Sequence, residues 1–403
     1  MTELVHREKA HVLPLDSIRG VAATSVVIHH LLLMPTFLAA FPHNAWINCS
    51  FFRSAWLLVD LFFVLSGIVM SLGYVDGDFG RFSLREFMVR RLARVYPLHI
   101  VMLIANLLFR LLRIGLVTAG VVVAAPAAFE VNNAYSFVLN VFLLHSMGFI
   151  DYLSWNAPSW SISVEFYTYL VFGLIVLLAQ RMRSLLWFYA LCGLLVVGSF
   201  LFIVFVFDKR SLGLQTDFGI LRCFVSFFLG VLTVKAVHSL PGKPGPALQG
   251  LLQLVAMIAS IALVSLAETN PAVTFLAPLT FAIFLGSLLA FPDALLVPRI
   301  LVARPLVWLG RRSYSIYMVH ALVVLFAEYF VRALGPRPIA ALDSIWAGLP
   351  ATLNLVVSLA AVLAVSHFSY LYIEVLGGKL FRNALGSRPD FSASPAPSAR
   401  LTN

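Results

Sequence analysis

The chain has 403 residues, of which 61% are hydrophobic and only 11% are Asp, Glu, Lys or Arg. Soluble domains run nearer a quarter charged, so too few charges are present to give a core of this size a polar surface. The formal net charge of +10 would suit nucleic acid in a soluble chain, but here the cations sit on short connections between apolar runs, which points to a membrane protein with no nucleic-acid partner.

Ten apolar runs of spanning length follow one another, at about 17–40, 53–74, 96–124, 160–179, 185–207, 218–237, 250–267, 272–292, 312–331 and 348–372. They predict an all-α, polytopic transmembrane helical bundle. A further apolar run at about 136–150 is short for a crossing and reads as a re-entrant or buried segment. With the N-terminus inside, twenty basic residues fall on inner segments and six on outer ones, Arg222 among the six. That bias predicts both termini on the cytoplasmic side. The first run lacks a signal-peptide cleavage site and reads as a retained span. The expected organisation is a cytoplasmic N-terminal segment at 1–12, a transmembrane domain at 13–376 and a disordered cytoplasmic tail at 377–403, rich in Ser, Pro and Ala from Ser387 onward. Cys49, Cys192 and Cys223 lie far apart without ligand-like spacing, so they read as apolar side chains and no metal is expected.

The first run holds L-D-S-I-R-G-V-A-A-T-S-V-V-I-H-H, Leu15 to His30. On a helix, Arg19 and His30 differ by about 20° around the axis and about 16 Å along it, whereas His29 faces about 100° away. An arginine near the inner surface and an imidazole near mid-membrane on one stripe suit an elongated anionic ligand. Arginine gives phosphate paired, charge-assisted hydrogen bonds, and neutral imidazole takes a proton near pH 7. The same residues also suit plainer roles, Arg19 as a topology anchor and His30 as a packing residue.

In the second run, V-D-L-F-F-V-L-S-G begins with Asp60 near the outer end and reaches Gly67. Asp60 suits either an acceptor site or an interfacial ion pair, and Gly67 suits close helix approach. The segment F-S-L-R-E-F-M-V-R-R-L-A-R-V-Y-P predicts a short helix ending before Pro97. Its Arg90, Arg91 and Arg94 are either anchors or the cytoplasmic mouth of a site for a phosphate-bearing group. Then W-N-A-P-S-W-S-I-S-V-E-F-Y-T-Y-L starts a helix near Pro158 and Ser159, with Trp155 and Trp160 in an interfacial belt. Glu165 lies one to two turns inside, where a lipid-facing carboxylate is too costly, so it must face the bundle and find a partner, either as a link tying helices together or in a catalytic or acceptor-binding role.

The run L-G-R-R-S-Y-S-I-Y-M-V-H, Leu309 to His320, repeats the first arrangement. Arg311 and Arg312 are at the inner edge, and His320 lies about 12 Å deeper than Arg312. Ser313, Tyr314 and Tyr317 can donate hydrogen bonds in the bundle, and His320 suits core hydrogen bonding as well as a substrate site. Tyr370 and Glu374 fall at the inner end of the last run, where a salt link is expected.

Taken in order, L-D-S-I-R-G with His30, V-D-L-F-F-V-L-S-G-I, R-R-L-A-R-V-Y-P, P-S-W-S-I-S-V-E-F-Y and S-Y-S-I-Y-M-V-H cover about residues 12 to 375. In these blocks the chain resembles the membrane-bound acyltransferase family 3. The resemblance implies about ten spans and transfer of an acyl group, most often acetyl from cytoplasmic acetyl-CoA, to hydroxyls of envelope or exported carbohydrates. It implies Arg19 and His30 as the essential motif and Glu165 as the acidic block. The Arg19–His30 stripe then suggests coenzyme A phosphates near Arg19 with Arg90, Arg91 and Arg94, His30 as base or acyl acceptor, and Glu165 orienting His30 or holding the sugar. Asp60, Trp160, Ser163, Tyr317 and His320 are then candidates for binding the acceptor. Further implied partners are the lipid bilayer, a carbohydrate or lipid-linked glycan and polysaccharide-synthesis machinery, at a bacterial cytoplasmic (inner) membrane. The chain departs from the pattern in having Phe166 where relatives often carry a second acid, and Val375 where a proline often follows the glutamate. Other readings of the same residues are transfer of succinyl or another acyl group, a proton-coupled exporter of polysaccharide precursors, and an assembly partner without turnover.

Overall fold

A computed structural model describes residues 2–34, 37, 40–41, 43–77, 80, 82–120 and 129–386. The described chain is helical. Helix α1 spans Thr2–Leu32, and α2 spans Leu58–Ser71, extended by a π-helical turn at Leu72–Gly77. Helix α3 spans Leu84–Thr118, the short α4 Ala134–Val141, α5 Trp160–Met182 and α6 Leu185–Leu201. Then come α7 at Gly219–His238, α8 at Pro246–Leu266, α9 at Ala277–Ala290 and α10 at Arg304–Arg311. Last are α11 at Ser313–Leu334, α12 at Pro336–Ile345 and α13 at Leu349–Ser369. Helix α13 runs on through a π-helical stretch, Tyr370–Gly377, into Gly378–Ala384. Part of the segment expected to be disordered, 377–403, is therefore helical, and residues 387–403 lie outside the described residues.

Among the described residues, nine helices are long and apolar enough to cross a membrane. The expected tenth, 17–40, is not one of them. Helix α1 ends at Leu32, and the stretch after Arg19 is only about 20 Å long, short of a hydrocarbon core of about 30 Å. It is nevertheless central, with Ala22, Ala23, Val26, Val27 and Leu31 all buried. The run at 136–150 forms the eight-residue α4 and turns, about 12 Å of helix. Ser163 Oγ donates to Leu143 O at 2.5 Å and Tyr167 OH to Phe142 O at 3.0 Å. The segment is thus tied to α5 and is too short to cross, with Leu139, Leu143 and Ile150 buried and Val138, Phe142 and Phe149 exposed.

Two glycine crossings set the helix spacing. A Cβ on Gly67 would stand 1.9 Å from Phe227 O, and one on Gly230 2.0 Å from Val64 O, so α2 and α7 meet backbone to backbone. At Gly20 a Cβ would stand 2.5 Å from Gly310 N, and at Gly310 2.3 Å from Asp16 O. That second crossing holds α1 against α10, placing Arg19 next to Arg311.

Pro97 does not end a short helix as expected; α3 continues through it. The start is marked by an N-cap, Ser83 Oγ accepting from Glu86 N at 3.4 Å. Proline removes the hydrogen bond that Ala93 O would accept. Neighbouring elements close on this turn: Tyr314 OH donates to Val95 O at 2.5 Å, and a Cβ on Gly378 would lie 2.8 Å from Ala93 O. Tertiary packing thereby supports a helix that local sequence alone would stop.

Candidate active site

Four elements bring charged and hydroxyl side chains to one polar seam. Helix α1 supplies Asp16 and Arg19, α2 Ser66, α3 Arg91 and Arg94, and α5 Tyr169, around a cavity of ≈ 350 Å³ closed by Gly310, Arg311, Tyr370 and Glu374. An adjoining cavity of ≈ 290 Å³ shares Arg91, Arg94, Tyr370 and Glu374 and adds Arg90 and Arg382. In the other direction the seam narrows to ≈ 50 Å³ between Arg19, Phe62, Ser66, Ser161, Glu165, Tyr314 and Tyr317. The three spaces form a funnel, wide and basic at one end and tight and hydroxyl-rich at the other.

Two cations of the funnel, Arg19 and Arg94, are loosely paired. Arg19 meets Asp16 at 3.8 Å, and Arg94 meets Glu374 at 3.6 Å, the salt link expected at the end of the last span. Glu374 also accepts from Ser315 Oγ at 2.8 Å. Arg91 lies over the rings of Tyr74, Phe87 and Tyr169 at 5.9 to 6.0 Å, and Arg90 stands 4.0 Å from Glu86 on its own helix. Each of the four arginines singled out in the sequence lines the funnel.

Glu165 finds the partners that its depth demanded. It accepts from Tyr169 OH at 2.6 Å and from Ser66 Oγ. Ser161, Glu165 and Tyr169 recur every fourth residue, so they share one face of α5. Ser161 Oγ meets Tyr317 OH at 2.9 Å, and Tyr317 OH donates to Pro158 O at 3.0 Å. Ser163, about 200° from Ser161, points away from this face and is committed to Leu143 O. Neither Ser161 nor Tyr169 was singled out by sequence reasoning, although their fourfold spacing from Glu165 is a legible signal.

His30 pairs with His320, not with Glu165. His30 Nδ1 lies 2.9 Å from Val26 O and 3.3 Å from His320 Nε2, and the two rings are 4.8 Å apart. His320 is fully buried, and its Nδ1 lies 2.6 Å from Tyr317 O. The Tyr317 ring, 5.7 Å from that of His320, lines the narrow end of the funnel. Arg19 thus opens on the seam directly, while His30 stands behind Tyr317 through His320. His29 turns elsewhere, with Nδ1 at 3.1 Å from Phe52 O.

Asp60 and Trp160, both acceptor candidates from the sequence, belong to a separate sealed cluster. Arg222 Nε lies 3.1 Å from both Asp60 oxygens and Nη2 2.6 Å from Oδ2, with neither side chain exposed. Ser226 Oγ donates to Asp60 at 2.9 Å, and the guanidinium sits over Trp56 and Trp160 at 5.0 and 5.2 Å. Trp160 and Trp155 are buried, so neither forms part of a lipid-facing belt. Arg222 is likewise a core residue of α7, not an outer topology anchor, because a fully buried carboxylate required a fully buried cation. Among the described residues no group of three or more His, Cys, Asp or Glu is placed to hold a metal ion.

Comparison with known proteins places this architecture. The chain is 25% identical over 406 residues to a putative O-acetyltransferase of Staphylococcus aureus (strain COL), covering 96% of this chain and 60% of that protein. It is 23% identical over 394 residues to the peptidoglycan O-acetyltransferase OatA of Listeria monocytogenes, covering 93% and 57%. It is also 23% identical over 342 residues to the O-acetyltransferase OatA of Staphylococcus aureus (strain NCTC 8325), covering 80% and 52%. The chain therefore spans a little over half the length of these curated relatives. No solved structure matches. The pattern of the Acyltransferase domain runs from residue 13 to 371, nearly the whole bundle, and the chain belongs to the acyltransferase 3 family that this domain defines.

Proposed function

We propose that the protein transfers an acyl group, acetyl from acetyl-CoA, to a hydroxyl of a cell-envelope or exported carbohydrate. The observation that carries this reading is the funnel, where Arg19, Arg91 and Arg94 surround a cavity that tightens toward hydroxyls and a carboxylate, with the His30–His320 pair behind Tyr317. Family membership and the names of the relatives support the reaction class. Arg19, Arg91 and Arg94 suit the phosphates of coenzyme A, with Arg90 at the mouth, and the thioester supplies an activated acyl carbon at the narrow end. Glu165 and Tyr317 there suit the acceptor's hydroxyls.

In the proposed step, His30 Nε2 takes the proton of the acceptor hydroxyl as its oxygen attacks the thioester carbonyl. The tetrahedral centre then collapses with loss of the C–S bond. The departing thiolate takes the proton back from the imidazolium, leaving ester and free coenzyme A thiol. The basic mouth faces the cytoplasm in this reading, with both termini on that side of a bacterial cytoplasmic membrane; that requires α1 to cross as a whole, its 31 residues being long enough although the apolar run after Arg19 alone is not. The partners are the bilayer, a carbohydrate or lipid-linked glycan and the machinery that makes it.

Isotope-labelled acetyl-CoA supplied to the purified protein with host glycan extract, followed by mass analysis, tests this directly. The expected product is an O-acetylated glycan, and His30→Ala is expected to lower its formation at least about 100-fold. Undiminished turnover by folded His30→Ala protein would overturn the role of His30. Movement of glycan across proteoliposomes without acyl consumption would overturn the reaction itself.

A further inference from the structure

Resting on that reading, we infer that His320 is a positioning residue that shares with the Val26 carbonyl the task of holding the His30 proton on Nδ1, and that receives this Nδ1–H when His30 becomes an imidazolium. A carbonyl oxygen only accepts hydrogen bonds. Tyr317 O, 2.6 Å from His320 Nδ1, therefore places the His320 proton on Nδ1 and leaves a lone pair on Nε2. Val26 O, 2.9 Å from His30 Nδ1, places the His30 proton on Nδ1 in the same way. The two rings meet through these complementary atoms, His30 Nδ1–H directed at both Val26 O and His320 Nε2, the latter at 3.3 Å. The remaining nitrogen of His30, Nε2, keeps the free lone pair that a base requires.

The arrangement is that of a base oriented by a third group, with a neutral imidazole in the place more often held by a carboxylate. His320 has no exposed surface, and both its nitrogens are engaged, so it acts through His30 and not on substrate. When His30 gains a proton on Nε2, its Nδ1–H becomes a charge-assisted donor to the His320 lone pair. Tyr317 couples this to the funnel, since its carbonyl sets the His320 tautomer while its ring lines the narrow end. His29 does not substitute, because its Nδ1 is engaged with Phe52 O and its ring is edge-on to His30.

The test uses the full chain in detergent with acetyl-CoA and glycan extract, together with ¹⁵N-histidine NMR in which His30 is assigned by its loss in His30→Ala. His30 is expected to carry its proton on Nδ1 in the wild-type protein. His320→Leu is expected to lower kcat about 10- to 100-fold with KM for acetyl-CoA unchanged. His320→Gln, whose amide donates and accepts at one end, is expected to recover most of that loss. A wild-type His30 protonated on Nε2 would overturn the inference, as would folded His320→Leu protein with wild-type kcat. If His320→Leu does not fold, His320→Gln decides: a kcat within a few-fold of wild type supports the inference, and a loss of about 100-fold or more overturns it. Full activity in His30→Ala would instead strike the proposed function, leaving the tautomer measurement standing.

Discussion

Two groups of buried charge in this bundle are built on opposite principles. Around Asp60 and Arg222, every contact is short, both side chains are unexposed and two indole rings cover the guanidinium. Around Arg19 and Arg94 the nearest carboxylates stand at 3.8 and 3.6 Å, and the side chains are 24% and 42% exposed toward a cavity. A saturated guanidinium has nothing left to offer a ligand. A loosely held one can exchange a weak protein partner for a phosphate at little cost. The difference separates the group that holds helices together from the group available for binding, although both contain arginine in a membrane bundle.

The strongest way to break this comparison is to unpair the sealed group. Asp60→Ala leaves Arg222 buried without a counter-charge and is expected to cost about 3–5 kcal/mol, read as loss of folded protein and a lower Tm in detergent. Replacing both partners at once, Asp60→Leu with Arg222→Met, is expected to restore most of that stability, because matched apolar groups carry no desolvation penalty. If Arg19 belongs to the other class, Arg19→Gln leaves stability within about 0.5 kcal/mol of wild type, with Tm nearly unchanged. It is then expected to raise KM for acetyl-CoA about 10- to 100-fold, the range for one charge-assisted hydrogen bond. A Tm loss for Arg19→Gln as large as that for Asp60→Ala would erase the distinction.

Smaller effects sharpen it. Gly67→Ala forces a methyl group into the Phe227 carbonyl and is expected to cost about 1–3 kcal/mol through overpacking, with KM for the donor unchanged in the folded fraction. The smallest expected effect lies outside the spans. Asp343 accepts from Gly348 N at 2.9 Å and meets His43 Nδ1 at 2.6 Å; these bonds hold its carboxyl below the usual carboxylate range. A depressed carboxyl contributes stability that is present above its unfolded pKa of about 4 and lost as pH falls below it. Asp343→Asn is therefore expected to flatten the decline of Tm below about pH 4, leaving behaviour at neutral pH with a small constant offset.

Sequence reading reached the parts of this molecule that one helix can announce by itself. Asp60, Glu165 and His30 are each conspicuous as polar atoms in apolar runs, and the fourfold spacing of Ser161, Glu165 and Tyr169 describes a single face. What one helix cannot announce is its partner. Arg222, 162 residues after Asp60, read as a surface cation because nothing local reveals a facing carboxylate. His320 read as a loose candidate because its relation to His30 is made by α11 lying beside α1. Pro97 was misleading for a related reason: the groups that close around the interrupted turn, Tyr314 and Gly378, come from far along the chain. Trp155 and Trp160 carry interfacial chemistry in their composition, and their burial is decided by neighbours that composition does not encode.

The Gly20–Gly310 crossing has a mechanical implication. Where two helices touch through main-chain atoms, no rotamer can swing aside and no side chain can be shortened to widen the gap. Arg19 and Arg311, each one residue from that contact, are therefore anchored on a hinge that does not open. Any widening needed to admit a long thioester therefore falls to the side chains that line the seam, not to this crossing.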